Sequence, residues 1–348
     1  MAVQVISKEL LDRPRARGKL RTEILIHSQL CHRSIVRFDR AFEDGTNVYL
    51  LLELCQSQSM AEVVKRRKRL PEPEMARYLA QAVRGVQYLH ARHVIHRDIK
   101  LGNLFLSADD DGVKVGDFGL ACKLGSAADR KTTLCGTPNY IAPEVLDSSR
   151  GHSFEVDVWS LGVVLYAALV GRPPFETADV KSTYKRIRAN DYSFPDAVPL
   201  SDDAKHLVRW LLSPSPEHRP TLPQILAHPF VGMQLMVSPC ARERNLLACP
   251  LTPPTPKAAG LPTSLLISPT RGPIAPMIIT LPSTPRSSLT PNPQTLGVKP
   301  CNPFTHYIPV SRRPQRFEAL RRVVPAASTP NPSAANLHWG SRRWLDSA

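Results

Sequence analysis

HRDIKLGN, residues 96–103, is followed fourteen positions after its asparagine by DFG, residues 117–119. Carboxylate and amide oxygens are the ligands that Mg²⁺ prefers, so Asn103 and Asp117 are predicted to hold magnesium against phosphate groups. Asp98 is suited to accept the proton of a hydroxyl group, and Lys100 to stabilise a phosphoryl group. The stretch therefore predicts a magnesium and phosphate site built on two neighbouring loops.

The composition is ordinary for a soluble chain: of 348 residues, 42% are hydrophobic and 22% are charged. The seven cysteines form no CxxC pair and have no histidine at zinc spacing, and the sequence shows no signal peptide or long apolar run. We therefore expect a reduced, intracellular protein of the cytoplasm or nucleus, with no membrane association.

The net charge of +15 is unevenly distributed. Residues 1–231 carry 32 Lys+Arg and 27 Asp+Glu, whereas residues 232–348 carry 13 and 3. The second segment also holds 20 of the 34 prolines, and such a composition buries too little apolar surface to offset its ordering entropy. We predict a folded domain over 1–231 and a largely disordered basic tail over 232–348, with no specific nucleic-acid binding.

Hydrophobic periodicity predicts the main elements of the domain. Residues 48–54 (VYLLLEL) are typical of a buried strand, and 113–115 of a short strand that leads into DFG. Residues 72–90 carry one apolar stripe at helical spacing. Residues 157–170 are apolar nearly all round, which predicts a helix in the centre of a large lobe, and they are too short to span a bilayer.

Further motifs follow in a fixed order: GTPNYIAPE at 136–144, DVWSLG at 157–162 and HRP at 218–220. Together with HRDIKLGN and DFG they resemble the eukaryotic protein kinases over residues 2–231. The resemblance implies an α+β fold of two lobes, with an N-lobe of about 1–54, its sheet truncated, and a helical C-lobe of about 58–231. It also implies ATP and Mg²⁺ as cofactors.

The resemblance implies the roles of the site residues. Asp98, Lys100 and Asn103 are the catalytic residues, and Asn103 and Asp117 are the magnesium ligands. Lys100 and Thr137 are typical of serine/threonine kinases, so the implied substrates are proteins with Ser or Thr. Glu144 is implied to pair with Arg219, Asp157 to anchor the catalytic loop, and His96 to pack against Phe118.

Finer matches resemble the polo-like kinases: KLGNLFL at 100–106, TLCGTPNY at 133–140, GHSFEVD at 151–157 and RPPFET at 172–177. That family implies an adenine pocket formed by Leu52, Glu53, Cys55 and Phe105. It implies an upstream kinase that phosphorylates Thr133, and it implies that Arg97 binds the resulting phosphate group. A monomer acting in the cell cycle, with the centrosome or spindle as a location, is the corresponding expectation, although no polo-box pattern is visible in the tail.

The phosphate-anchoring side departs from the family. Its pattern Ala-X-Lys-Val-Ile is read here as AVQVI, residues 2–6, so Gln4 replaces the lysine that should pair with Glu23. Lys8 lies about 13 Å further along the strand, too far to substitute. The glycine-rich loop is also missing, and without its two strands the sheet is expected to expose an edge.

Three interpretations follow from these departures. The first is an active kinase whose sequence is N-terminally incomplete. The second is a pseudokinase that acts as a binding module without turnover. The third is a protein that acts mainly as a scaffold through residues 232–348.

Overall fold

The chain forms two lobes, each with its own hydrophobic core. The computed structural model describes residues 1–55, 58–107, 112–126, 128–147, 149 and 151–232 and the backbone of 306–309. One lobe is a sheet with a covering helix, and the other is mainly helical. The predicted two-lobed α+β fold is therefore confirmed. The prediction of a disordered tail lies outside the described residues, apart from 306–309.

The elements follow in chain order. The strands are β1 (Ala2–Ser7), β2 (Phe38–Glu43), β3 (Asn47–Leu52), β4 (Val94–Ile95), β5 (Leu104–Ser107), β6 (Gly112–Val115), β7 (Cys122–Lys123) and β8 (His306–Pro309). The α-helices are α1 (Pro14–His27), α2 (Met60–Arg67), α3 (Glu72–His90), α4 (Glu155–Val170), α5 (Val180–Ala189), α6 (Asp202–Leu211) and α7 (Leu222–Ala227). None of the helices in the described ranges is both long and apolar enough to cross a membrane.

The N-lobe sheet has the strand order β2-β3-β1-β8, and each neighbouring pair is antiparallel. Burial alternates along β1, so Ala2, Gln4 and Ile6 face the interior. Leu20 and Ile24 of α1 belong to the same apolar cluster as Ile6. The lobe thus holds α1 against the face of the sheet to which Gln4 points.

The edge of β1 is paired, which corrects the expectation of an exposed sheet edge. The backbone of β8 runs antiparallel to β1, with Ala2 opposite Pro309 and Val5 opposite His306. An edge strand offers a row of unpaired N–H and C=O groups, and any extended segment that reaches it can satisfy them. The alternation of residues 306–309 was too short and too close to proline to predict this strand.

The C-lobe is built around α4, whose residues from Val156 to Leu169 are all buried. The helix begins two residues before the predicted start and ends at Gly171, which has a φ of 97°. A Cβ atom at Gly171 would lie 2.4 Å from the carbonyl oxygen of Lys68, so both the left-handed backbone and the close approach require glycine here. The central, buried helix predicted from the apolar run is confirmed.

The helix α3 delivers the chain to the catalytic loop. It spans Glu72–His90 as predicted, and its apolar stripe, from Met75 to Leu89, is fully buried in the C-lobe core. The predicted strand over 48–54 is shorter, because the chain leaves the sheet after Leu52 to connect the lobes. The predicted strand over 113–115 is β6, which begins one residue earlier.

Candidate active site

Asp157 holds the backbone of the catalytic loop from within α4. Its carboxylate accepts hydrogen bonds from the amides of His96 at 3.0 Å and Arg97 at 2.9 Å, and from Nε2 of His90 at 2.9 Å. Burial acts to raise the pKa of Asp157, but the hydrogen bond from His90 and the neighbouring histidines outweigh it, and the pKa lies below its ordinary value. An ionised, buried carboxylate therefore fixes the position of the loop, as the resemblance implied.

The HRD segment is also fixed from the DFG side. Nε2 of His96 lies 3.1 Å from the carbonyl oxygen of Gly116, and its ring packs 5.1 Å from that of Phe118. Arg97 and Asp117 have φ angles of 66° and 62°. Such backbone conformations in non-glycine residues cost energy and persist only where surrounding contacts impose them, as at functional sites.

Asp98 is the centre of the candidate site. Its Oδ1 atom accepts hydrogen bonds from the Thr137 hydroxyl at 2.6 Å and the Thr137 amide at 3.1 Å. Its Oδ2 atom lies 3.1 Å from both Nζ of Lys100 and Nδ2 of Asn103. The three predicted catalytic residues are therefore in direct contact, and the carboxylate is held in one orientation.

The arrangement of Asn103 and Asp117 fits a divalent cation. The amide nitrogen of Asn103 donates hydrogen bonds to the carbonyl and the carboxylate of Asp98. The Oδ1 atom of Asn103 has no hydrogen-bond partner among the described residues. Asp117 accepts a 3.3 Å bond from the Gly119 amide, and its pKa is raised first by burial and then by the charge of Asp98. The neighbouring carboxylates of Asp117 and Asp98 and the amide oxygen of Asn103 are oxygen donors of the kind that bind Mg²⁺, and a bound cation would offset the repulsion between the two carboxylates.

The residues predicted to line an adenine pocket lie on the connection between the lobes (Glu53 and Cys55) and on the strands β3 (Leu52) and β5 (Phe105). Leu52 is buried. The amide of Glu53 donates a 2.8 Å hydrogen bond to the Arg37 carbonyl, and its carboxylate accepts a 3.1 Å bond from the Arg37 amide. The carboxylate also lies 3.2 Å from Nζ of Lys114. The carbonyl oxygen of Glu53 accepts no hydrogen bond from the described residues. Phe105 packs with Cys55 against the N-lobe cluster.

The side of the site predicted to hold the phosphates, formed by Gln4 and Glu23, lacks the lysine that the family pattern places at position 4. Gln4, 2% exposed, lies on the buried face of β1, and Glu23, 6% exposed, lies on the buried face of α1. Burial and then the charge of Asp117 raise the pKa of Glu23 to about 8. Lys8 is engaged elsewhere, with Glu43 at 3.1 Å and the Asp44 carbonyl at 2.5 Å. Glu23 is therefore largely protonated at neutral pH, as expected of a buried acid with no cation beside it in the described part of the chain.

The segment after DFG is anchored at its far end. Glu144 and Arg219 form the predicted pair, a buried bidentate ion pair with distances of 2.7 and 2.8 Å. Thr133, the predicted phosphorylation site, is exposed. The guanidinium of Arg97 donates through Nε to the Leu120 carbonyl at 2.8 Å, and its terminal nitrogens have no hydrogen-bond partner among the residues that the structure describes.

Two residues of the site were not assigned a role from the sequence. Thr137 was read only as a mark of the serine/threonine subclass, yet it contacts both Asp98 and Lys100. His27 of α1 packs 4.4 Å from Phe118 and lies 2.7 Å from the Val36 carbonyl, and burial lowers its pKa to about 4. The GTPNYIAPE motif could have indicated a role for Thr137 in the site, whereas no sequence pattern indicates His27.

Comparison with known proteins gives the family. The model for the protein kinase domain matches residues 1–231. The probable serine/threonine-protein kinase CCRP1 of Zea mays is 54% identical over 250 residues, which cover 72% of this chain and 40% of that relative. The probable serine/threonine-protein kinase PLK of Dictyostelium discoideum is 54% identical over 229 residues, 66% of this chain and 23% of the relative.

A third relative is the cell cycle serine/threonine-protein kinase CDC5/MSD2 of Saccharomyces cerevisiae, 50% identical over 226 residues, 65% of this chain and 32% of the relative. The chain thus matches less than half the length of each of these relatives. The chain belongs to the protein kinase domain family, and its domain is of the polo-like serine/threonine type.

Proposed function

We propose that this protein is a serine/threonine kinase that transfers the γ-phosphoryl group of ATP to Ser or Thr residues of protein substrates. The observation that carries the proposal is the fixed orientation of Asp98 between Thr137, Lys100 and Asn103. The name of the yeast relative supports a role in cell-cycle control. We place the protein inside the cell, in the cytoplasm or nucleus, with the centrosome or spindle as further sites, and expect it to act as a monomer.

The chemistry follows from the charges around Asp98. A substrate hydroxyl hydrogen-bonded to this carboxylate passes its proton to it as the new P–O bond forms and the bond to the leaving oxygen breaks. Lys100, 3.1 Å from Asp98, is placed to offset the negative charge that the phosphoryl oxygens bring into the site. Thr137 keeps Asp98 from rotating, so the acceptor oxygen and the base meet in one geometry.

The remaining parts of the site would hold the nucleotide. Oδ1 of Asn103 and the carboxylate of Asp117 are the groups that would bind Mg²⁺, which supplies charge neutralisation on the phosphates when bound. The carbonyl of Glu53 and the backbone of Cys55 would hydrogen-bond adenine, with Leu52 behind the base and Phe105 beneath it. Gln4 and Glu23 would face the phosphates.

We further propose that an upstream kinase activates the protein at Thr133. This side chain is exposed and lies within a segment that carries Arg130 and Lys131. A phosphate at Thr133 would add two negative charges, which the terminal nitrogens of Arg97 could bind. Such a contact would order the segment that leads to Thr137.

A second candidate function is a binding module without turnover. The observation that favours it is the pair of buried, uncharged groups on the phosphate side, namely Gln4 and the protonated form of Glu23. A cation at the position of Gln4 would hold the phosphates, and a neutral amide supplies only a hydrogen bond. On this proposal the C-lobe presents a docking surface and ATP binds weakly.

Radiolabelled ATP with a generic acidic protein substrate separates the two functions. The kinase proposal predicts transfer that falls at least a hundredfold in Asp98→Asn and is unchanged in the exposed control Asp191→Asn. Transfer that survives Asp98→Asn comes from another protein and refutes the kinase site. Complete absence of transfer in the folded wild type, together with no stabilisation by Mg-ATP in a thermal-shift measurement, supports the binding module.

A further inference from the structure

A surface groove of about 550 Å³ lies between the α1–β2 connection and the C-lobe helix α3, and its walls contain none of the candidate active-site residues. One wall is the connection between α1 and β2, including His32 and Arg33, and the other is the exposed face of α3, with Leu226 of α7 at one end. Arg84 and Tyr88 lie four residues apart on this face, and Arg92 follows just after the end of α3. We call this feature the basic groove.

The described residues of the basic groove carry positive charge. Arg33, Arg84 and Arg92 are exposed, and none of the three has a carboxylate partner among the described residues. The described lining contains no acidic side chain at all. Three guanidinium groups around one concave surface, with no carboxylate partner in the described part of the chain, attract anions, because field lines are focused between low-dielectric walls.

Contacts within the groove hold one of its cations and part of its walls in place. The Tyr88 hydroxyl accepts a 2.7 Å bond from the Cys31 amide, and its ring stacks on His32 at 4.8 Å. The guanidinium of Arg92 lies 3.7 Å from the centre of the same ring. Nζ of Lys114 donates a 2.8 Å bond to the carbonyl of Arg33 and fixes the opposite wall. A ligand therefore meets one preorganised charge, the guanidinium of Arg92, which lowers the entropic cost of binding.

The titration of His32 is consistent with a positive potential inside the groove. Burial first, and then the charges of Arg33, Arg92, Lys114 and Arg84, lower its pKa to about 4. His32 therefore stays neutral at physiological pH and offers an aromatic face beside Tyr88. The groove combines cationic groups with two flat rings and the apolar side chain of Leu226.

We propose that the basic groove binds an acidic peptide segment of a partner protein. Glutamate or aspartate side chains would pair with Arg33, Arg84 and Arg92, and an apolar side chain between them would pack on Leu226. The size suits a few residues of extended chain rather than a single small anion. This docking would bring a partner to the domain whether or not the domain turns over ATP.

Charge argues against two other occupants. The segment 232–348 of the same chain carries 13 Lys+Arg and 3 Asp+Glu, so it would be repelled. Nucleic acid is best bound by an extended basic surface with several stacking aromatics, whereas residues 1–231 carry 32 Lys+Arg against 27 Asp+Glu. An acidic peptide is the class that matches both the charge and the local apolar patch.

The test measures fluorescence anisotropy of a labelled peptide, Glu-Glu-Leu-Glu-Glu-Leu, with the full chain. We expect binding that weakens at least tenfold in Arg84→Gln/Arg92→Gln and less than twofold in Arg69→Gln, an exposed arginine outside the groove. The same peptide with glutamine in place of glutamate should not bind. Phosphoryl transfer to a short peptide without acidic residues should be the same in all three proteins, which separates docking from catalysis.

If Arg84→Gln/Arg92→Gln loses stability, a second variant that reverses both charges tests the same site. Arg84→Glu/Arg92→Glu should lose the acidic peptide and gain a Lys-Lys-Leu-Lys-Lys-Leu peptide. No detectable binding of the acidic peptide at millimolar concentration would overturn the proposal. So would equal binding to wild type and Arg84→Gln/Arg92→Gln, or tighter binding of a single-stranded RNA oligonucleotide that depends on the same two arginines.

Discussion

The hydroxyl of Thr137 donates a 2.6 Å hydrogen bond to Oδ1 of Asp98, across a separation of 39 residues in the sequence. The same hydroxyl lies 2.9 Å from Nζ of Lys100, whose ammonium donates to it. One side chain from the segment after DFG thereby joins the candidate base to the candidate phosphate contact. The position of this segment and the geometry of the catalytic loop are coupled through Thr137.

Thr137→Val should therefore lower kcat by about 10- to 100-fold, because a hydrogen bond to a charged group is worth about 1.5–3 kcal/mol. The effect on KM should be small, since Thr137 orients Asp98. Thr137→Ser keeps the hydroxyl and should retain most of the activity. Steady-state kinetics of the three proteins check the prediction, and equal rates for the Val and Ser variants would contradict it.

The ion pair between Glu144 and Arg219 should be a major contributor to stability. Its side chains are 8% and 1% exposed, and Arg219 also donates to the carbonyls of Ser213 and Glu155. Glu144→Gln leaves a buried guanidinium without its countercharge, which costs about 3–5 kcal/mol in free energy of unfolding. Chemical denaturation of the variant measures this loss.

The chain offers a matched control for that experiment. Arg67 and Glu74 form a bidentate pair with two distances of 2.7 Å, but their side chains are 40% and 19% exposed. Glu74→Gln removes the same charge and should cost about 1 kcal/mol or less, because solvent screens the pair. Similar losses in the two variants would show that burial does not decide the contribution of Glu144.

Elements dominated by local pattern were predicted well from the sequence. The stripe from Met75 to Leu89 specifies α3, and the apolar run of α4 specifies a central helix, since both follow from side-chain periodicity alone. The contacts of Asp157 with the catalytic loop and of Glu144 with Arg219 were implied by the resemblance to the protein kinases. In each case the two partners lie in two different motifs of that family.

Features that depend on three-dimensional approach were missed. The contact of His27 with Phe118 joins α1 to the DFG loop over 91 positions, and nothing in the spacing of either residue indicates it. The strand β8 pairs through backbone groups, which any extended sequence can supply. The sequence predicted the absence of a cation at Gln4, whereas the raised pKa of Glu23 follows from the depth at which the fold buries it.

The pairing of β8 with β1 should protect the first strand. Replacing residues 306–309 with Gly-Ser-Gly-Ser weakens a strand by loss of β-propensity and added backbone freedom. We expect faster amide hydrogen exchange within β1, measured by mass spectrometry, and unchanged exchange in α4. Replacing residues 286–289 in the same way is the control, and equal exchange of β1 in both variants would contradict a stable β8.

Glu23 should make the stability of the protein fall as the pH rises. Its folded-state pKa of about 8 lies above the ordinary value of 4.5, so between these values the unfolded state releases a proton that the folded state retains. The stability present below pH 4.5 is lost progressively towards pH 8, by at most about 5 kcal/mol. Glu23→Gln should remove this dependence and stabilise the protein at pH 8, measured by urea denaturation across the pH range.

An exposed glutamate supplies the control for this measurement. Glu9→Gln removes one carboxylate at the surface and should leave the pH dependence of stability unchanged. If Glu23→Gln and wild type lose stability in parallel between pH 4.5 and 8, the dependence arises from another group, such as the nearby Asp117.

Gln4→Lys should convert the phosphate side of the site. A lysine on the buried face of β1 would point towards the region of Glu23, and an ion pair at about 4 Å in an effective dielectric of about 20 is worth about 4 kcal/mol. The pKa of Glu23 should then fall below neutrality, and Mg-ATP should raise the Tm of the variant more than that of wild type. Val3→Lys places the same charge one residue away on the opposite face of the strand and should give no gain. Equal Mg-ATP shifts for Gln4→Lys and Val3→Lys would mean that the missing cation does not limit nucleotide binding, and would remove the observation that favours the binding module.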